Sequence, residues 1–555
     1  MPQGAGESFP ALDVSTSSVS KYTGGETAGA PGYDVRVRRL VLPLSIGMIG
    51  VTLVAQEQPL VRVNTQLVEV DVVVKDKNGP VANLTQDDFT ILDQGKRQQI
   101  AAFAVRIGQS QPPGLLPSQP GAVSNRANGT STTVFLFDSL NTADQTLGAP
   151  ASPQAAMRIA ALKYLSAAQK GDQYAVYTLA KSIRVVADFT DDVARVTRAV
   201  DRVWPEHSFD QGADDFGDEL IGEMLDLHNA VANAMQKNAV KEMQDAALKN
   251  RALITAQALE SIARHLQGIP GRKKLVWMSS SFPGTRTEQR ERNGRLMIEH
   301  QEFGREIDHA VRALNDANVA IYPVDPRDPY NAGLGAEGID TMNIFAEGTG
   351  GKAFYNLGDI AGAIKAAVED SEVTYSLGFY PQNVKLDGSY HKLSVELAKK
   401  GLEVRARKGY YASESKPPGE KERKKSIDEI LDNPLEATGI GLTALAEPVR
   451  DKPGVYDLVL TFDLSGIHMA REGDRWVASM DFITYFPGNG KPNADQQVLK
   501  ISLSEQKLHE SLATGYTLHR AWNAPAVQKG DLRLVVQDRA TGAAGSVRLH
   551  VAGPG

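Results

Sequence analysis

The chain has 555 residues, with 60 Lys+Arg against 67 Asp+Glu, a formal net charge of −7, and 42% hydrophobic and 23% charged residues. That balance excludes the basic footprint of a nucleic-acid-binding protein and the composition of a disordered chain, and the length predicts three or four domains. Cysteine is absent, which removes disulfides, zinc–thiolate sites, iron–sulfur clusters and cysteine nucleophiles.

Residues 1–34 are rich in Gly, Ser, Thr and Ala, lack a hydrophobic period, and predict a disordered leader. A cationic stretch with Arg36, Arg38 and Arg39 then precedes the uncharged apolar run Leu40–Ala55 and polar Gln56. This is the pattern of an export signal over 35–56, shorter than the ~20 residues a bilayer span needs, so the mature chain is expected to carry no stable transmembrane helix. A translation start at Val35 or Val37 would account for the leader.

Alternating apolar residues at Val68, Val70, Val72 and Val74, with turns at Asn78-Gly79-Pro80 and Gln94-Gly95, predict a small β domain over 60–106. Residues 107–131, with prolines at 112, 113, 117 and 120, read as a linker. From 132 to 371 the pattern alternates between strand and helix. Val134–Phe137, Lys274–Met278 and Val319–Val324 are continuous apolar runs typical of buried parallel strands. Strands 173–179 and 183–189 are expected to pair as a hairpin, so one sheet edge is antiparallel. Helices are expected at 151–169, with Ile159, Leu162 and Leu165 on one face, at 191–203, as two helices over 215–266 broken near 248, at 300–316 and at 358–370, with a short strand at 353–355. Residues 372–412 read as a β meander, 413–426 as a charged, solvated linker, and 427–555 as an immunoglobulin-like β-sandwich. The predicted fold class is multidomain, a central α/β doubly wound domain flanked by β-sandwich-like domains.

The segments VEVDVVVKDKNGPVANLTQDDFTILDQGKRQQI, VFLFDSLNT, GRKKLVWMSS, VAIYPVDPRD, EGTGGKAFYN and YSLGFYP with GYY occur in this order. Together they resemble the von Willebrand factor A-related proteins typical of Acidobacteria, over about Val61 to Tyr411. The resemblance implies a von Willebrand A-like α/β domain in an exported protein, and implies a divalent-metal position at the C-terminal edge of its sheet. The family's pattern there is Asp-x-Ser-x-Ser after the first strand, a Thr in a later loop and an Asp after the fourth strand.

This chain departs from that pattern. Asp138 stands at the first Asp, but Leu140 replaces the first Ser, Thr142 the second, and Ser280 the later Asp. The loop with His207, Ser208 and Asp210 offers no Gly-Gly-Thr. Mg²⁺ requires an octahedron of hard oxygens, so the expectation is no metal and no cofactor, with Asp138 and Asn141 capping the following loop and helix. Glu347–Ala353 lacks the first Gly and final Ser/Thr of a phosphate-binding loop. His300 and His309 share no helix face with a third ligand, Ser279, Ser280 and Ser281 have no local base, and Met224, Met235 and Met243 read as packing residues. The reading is an exported protein-interaction module, adhesive or scaffold-like, without catalytic activity. Its unidentified protein partner is expected at the strand C-terminal edge, with Asp138, Ser139, Asn141, Thr142, Ser279 and Ser280 as candidate site residues. The alternative is an envelope hydrolase with an unrecognised active site.

Overall fold

The computed structural model describes residues 67–551 apart from 78, 108–120, 127–130, 143–151, 169–170, 204–229, 270, 281, 283–284, 293–294, 303, 328–337, 372, 382–384, 386, 414–416, 453, 488–492 and 524–529. The expected leader, the export signal, Ser281, Met224 and the loop with His207, Ser208 and Asp210 lie outside the described residues. Among the described residues no helix is long and apolar enough to cross a membrane.

The first strands are β1 (Val68–Asp76), β2 (Gly79–Pro80), β3 (Phe89–Asp93), β4 (Lys96–Gln98), β5 (Ile100–Ile107) and β6 (Val123–Ser124). β6 is a correction, since it falls inside the segment read as linker. Two residues of extended chain are too short to leave a periodic signal.

Next come β7 (Ser131–Asp138), α1 (Pro153–Leu165), β8 (Asp172–Leu179), β9 (Ile183–Thr190), α2 (Val193–Asp201), α3 (Ala230–Leu266), β10 (Lys273–Met278), β11 (Thr285–Arg292), β12 (Arg295–Glu302), α4 (Gly304–Asp316), β13 (Val319–Val324), α5 (Ile339–Thr349) and α6 (Ile360–Val368). β11 and β12 form a separate hairpin. The main sheet runs β13-β10-β7-β8-β9, parallel except for the β8–β9 pair. Its central strands are apolar throughout because both faces are covered. Val134, Leu136 and Trp277 pack with Leu259 and Leu266 of α3, Leu314 of α4 and Phe345 of α5. Phe135, Phe137 and Val276 pack with Met157 of α1, Val196 of α2 and Ile364 of α6.

Several local expectations change here. α3 runs unbroken through 248. Ile159 is 52% exposed, and the buried face of α1 carries Met157, Ala160, Ala161 and Leu165. α4 begins at Gly304, so His300 belongs to β12. The strand expected at 353–355 is a single bridge from Val324 to Phe354. The glycine-rich 347–353 segment ends α5. Gly350 caps it at φ 75°, and a Cβ on Gly351 would stand 2.0 Å from the Ile321 carbonyl oxygen. Those glycines serve a helix end and a close backbone approach.

β14 (Val373–Phe379), β15 (Asp387–Leu397), β16 (Glu403–Ala406) and β17 (Gly409–Ser413) follow. They correct the reading of 60–106 and 372–412 as separate pieces. β1 lies between β14 and β16, β5 flanks β14, and β3 pairs with β15. Val70, Val72, Ile91, Tyr375, Leu377 and Phe379 fill one shared core, so two segments flanking the α/β unit build one β-sandwich. Its other face meets that unit through polar bonds. Asp71 accepts from Asn318 Nδ2 at 2.7 Å and Ser376 Oγ at 2.5 Å, while Asp370 binds Lys75 at 2.7 Å, the Tyr322 hydroxyl at 2.9 Å, and Arg405.

The charged segment is the start of α7 (Glu420–Asp432), and calling it a linker is corrected. Its buried Ile427 and Ile430 pack with Ile483 and Val535, and Arg423 reaches Asp481 at 3.3 Å. Two apolar residues at i, i+3 suffice for a docking stripe while the charges stay solvated. β18 (Leu442–Pro448), β19 (Val455–Phe462), β20 (Ala470–Glu472), β21 (Arg475–Phe486), β22 (Asn493–Ser504), α8 (Glu505–Thr514), β23 (Tyr516–Asn523), β24 (Gly530–Asp538) and β25 (Ala544–Val551) complete the chain. One antiparallel sheet is β23-β19-β18-β6. The other is β20-β21-β24-β25, with β22 also on β21. Leu458, Leu460, Phe462, Met480, Leu532 and Leu534 are among the residues filling the space between them.

Candidate functional site

Parallel strands β7, β8 and β10 bring their C-terminal ends to one sheet edge, where Asp138 sits opposite Leu179. The chain after β7 is pinned there, because the Ser139 and Leu140 amides both donate to the Leu179 carbonyl, at 2.8 and 3.0 Å. The turn Ala180–Ser182, which carries exposed Lys181 and Ser182, continues the same edge. Asp325 and Arg327 follow β13, with Arg327 Nη2 2.7 Å from the Asp325 carboxylate.

Asp138 is fully buried. Its Oδ1 accepts from the Asn141 amide at 3.0 Å, and its Oδ2 accepts from Asn141 Nδ2 at 2.8 Å and the Trp277 indole N–H at 2.9 Å. Ser279 adds a further side-chain bond. Burial pushes the carboxyl above the ordinary aspartate range, and the bonds from Asn141, Trp277 and Ser279 oppose that rise. Asn141 Nδ2 also donates to Thr255 Oγ1 at 2.8 Å, which ties the loop to α3. Ser139 Oγ donates to Gln154 Oε1 at 3.1 Å, and Gln154 Nε2 to the Thr142 carbonyl at 3.0 Å. Thr142 Oγ1 accepts from the Ser280 amide at 3.0 Å, joining the loops after β7 and β10. The structure therefore brings all six candidate residues together, at 0–7% exposure.

The capping expectation holds for the loop and fails for the helix. Asp138 closes an Asp–Asn turn three residues long, whereas Ser152 caps α1 by accepting from the Ala155 amide at 3.1 Å. Trp277, Thr255 and Gln154 escaped sequence reasoning. A tryptophan inside a buried strand needs an acceptor for its N–H, and Asp138 on the neighbouring strand supplies it.

These residues do not fit the divalent metal that the family pattern implies. Both carboxylate oxygens of Asp138 already accept hydrogen bonds, Leu140 is a buried side chain with no lone pair, and Ser280 brings no charge where a second carboxylate would stand. Among the described residues no group of three or more His, Asp or Glu side chains is placed to hold a metal ion.

Among solved structures the chain is similar to proximal thread matrix protein 1 from the mussel byssus, with 14% identity, TM-score 0.23, and coverage of 46% of this chain and 48% of that chain. It is also similar to a von Willebrand factor type A protein from Catenulispora acidiphila, with 9% identity, TM-score 0.22, and coverage of 82% and 74%. A third is an aerotolerance-related membrane protein from Bacteroides fragilis, with 10% identity, TM-score 0.24, and coverage of 43% and 98%. The chain spans about half the length of the mussel byssus proteins it matches. No family model matches it, and no curated protein does. Backbone likeness at this level leaves the functional reading to the site itself.

Proposed function

We propose that the chain is an exported, non-catalytic protein-interaction module. Its central unit is a doubly wound, von Willebrand A-like domain that engages a protein partner at the strand C-terminal edge. The observation that carries this reading is the closed hydrogen-bond circuit through Asp138, Asn141, Trp277 and Thr255. It turns the family's metal position into a fixed frame, and a rigid frame lowers the ordering cost of binding. In this reading Asp138, Ser139, Asn141, Thr142, Ser279 and Ser280 set the edge loops, and exposed neighbours such as Lys181 and Ser182 meet the partner. The non-catalytic part is supported by the donors around Asp138. They are an indole and an amide, neither of which is a base that a carboxylate could orient.

The test is retention of envelope proteins on the immobilised chain from Gln56 onward. Lys181→Glu combined with Ser182→Arg should abolish retention, Lys500→Glu on the C-terminal sandwich should leave it intact, and a divalent-ion chelator should change nothing. Retention indifferent to the edge variant would sink the reading. Chelator-sensitive retention lost in Asp138→Ala would replace it with metal-dependent adhesion.

A further inference from the structure

The seam between the α/β unit and the C-terminal sandwich closes on one histidine. His265, near the end of α3, is 4% exposed, and its Nδ1 lies 2.6 Å from the Glu436 carbonyl oxygen. A carbonyl only accepts, so Nδ1 carries a proton. The opposite nitrogen, Nε2, faces Asp188 Oδ1 at 3.6 Å, and the ring stacks on Phe189 with centroids 5.6 Å apart. A neutral ring protonated at Nδ1 would present the Nε2 lone pair to a carboxylate, and only the doubly protonated ring satisfies both sides. Around it, the Thr438 hydroxyl donates to the His265 carbonyl at 2.5 Å, the Gly268 amide donates to Thr438 Oγ1 at 2.9 Å, and Arg126 joins the Gly268 carbonyl to Asp463. The approach is close, since a Cβ on Gly268 would stand 1.4 Å from the Thr438 carbonyl oxygen.

We propose that His265 is a protonation-dependent clamp that locks the C-terminal sandwich onto the α/β unit when charged and releases the seam when neutral. The groups facing it are Asp188 from β9, Tyr177 from β8 and Glu436 from the segment after α7, with Arg195 of α2 acting on Asp188. Burial alone would lower the His265 pKa, but Asp188 and Glu436 outweigh it and raise the value. His265 in turn holds Asp188 below the usual carboxylate range against the effect of burial. The raised histidine contributes stability that is complete below its unfolded pKa and lost as pH rises through its folded one. The lowered carboxylate contributes stability present above its unfolded pKa and lost as pH falls through its folded one. The clamp is therefore tightest between the carboxylate range and the raised histidine value.

The absence of cysteine makes the test clean. Spin labels on Arg305→Cys in α4 and Lys500→Cys in β22, in the full chain, report the distance across the seam by pulsed dipolar spectroscopy. At about pH 6 the distribution should be narrow and at about pH 9 several-fold broader. His265→Gln, which keeps a donor toward Glu436 but cannot ionise, should give the same distribution at both. Asp188→Asn should move the broadening to lower pH by a unit or more. A wild-type distribution unchanged between the two pH values, or broadening that persists in His265→Gln, would overturn the clamp.

Discussion

Asp138 and Lys273 are buried charges with opposite fates. Replacing Asp138 with Ala strands the Trp277 N–H and the Asn141 donors in a dry site, at about 1–3 kcal/mol for each buried donor left without an acceptor. The loss should exceed the ~1 kcal/mol of an ordinary helix cap. Urea unfolding measures it, and calorimetric titration with Mg²⁺ should show wild type and variant alike, with no binding tighter than roughly millimolar. Lys273 is 2% exposed, and its amine donates to the Ile269 carbonyl at 2.7 Å. Burial brings its pKa down to about 7. Arg106 acts in the same direction, and Asp71 and Glu69 oppose it. Between that value and the ordinary lysine range the unfolded chain binds a proton that the folded chain does not, so stability rises with pH across this window and the penalty is full below it. Lys273→Met should raise the melting temperature at about pH 6, and the gap should close by about pH 10. A constant gap would show that the charge is not the cause.

At the scale of elements, the local signals were legible and the long-range pairings were not. Val134–Phe137 announced itself as a central strand because only a sheet covered on both faces tolerates such a run. The Tyr174–Leu179 and Ile183–Phe189 segments announced a hairpin by proximity, and they pair antiparallel. In contrast, nothing in the alternation of Val68–Val74 states that its neighbours are β14 and β16, since period 2 fixes a face and not a partner. The site divides the same way. Asp138, Asn141 and Thr142 were visible as polar residues closing an apolar strand, but the indole that holds Asp138 lies 139 positions away. A chain beginning at Ser131 should therefore lose the β1 and β5 partners of β14 and expose Val373, Tyr375, Leu377 and Phe379. Binding of a fluorescent apolar dye and sedimentation would detect this. Supplying residues 67–107 as a separate peptide should reverse it, and a soluble, dye-silent truncated chain would show that the shared core is dispensable.

At the scale of the whole molecule, the α/β unit sits in the chain between the two halves of the first β-sandwich, and the segment read as linker contributes β6 to the last sandwich. Asn125 anchors that graft, donating to the Ala437 and Ile440 carbonyls at 2.7 and 2.8 Å and accepting from the Leu442 amide at 2.8 Å. These returns of chain explain why composition breaks misplace boundaries. A proline-rich stretch marks where helices stop, and says nothing of which body the next two residues join. The divided sandwich also sets a schedule. β1 and β5 leave the ribosome early, yet the strand that separates them in the finished sheet begins only at Val373. At typical rates of synthesis that is a wait of roughly ten to fifty seconds. Throughout it, Val70, Val72, Val74 and Phe103 belong to unpaired strand edges, the surface most prone to pair with the wrong chain. The birth of this protein thus calls for a holding factor on its first hundred residues, and the α/β unit must mature while its flanking sandwich is still half-written.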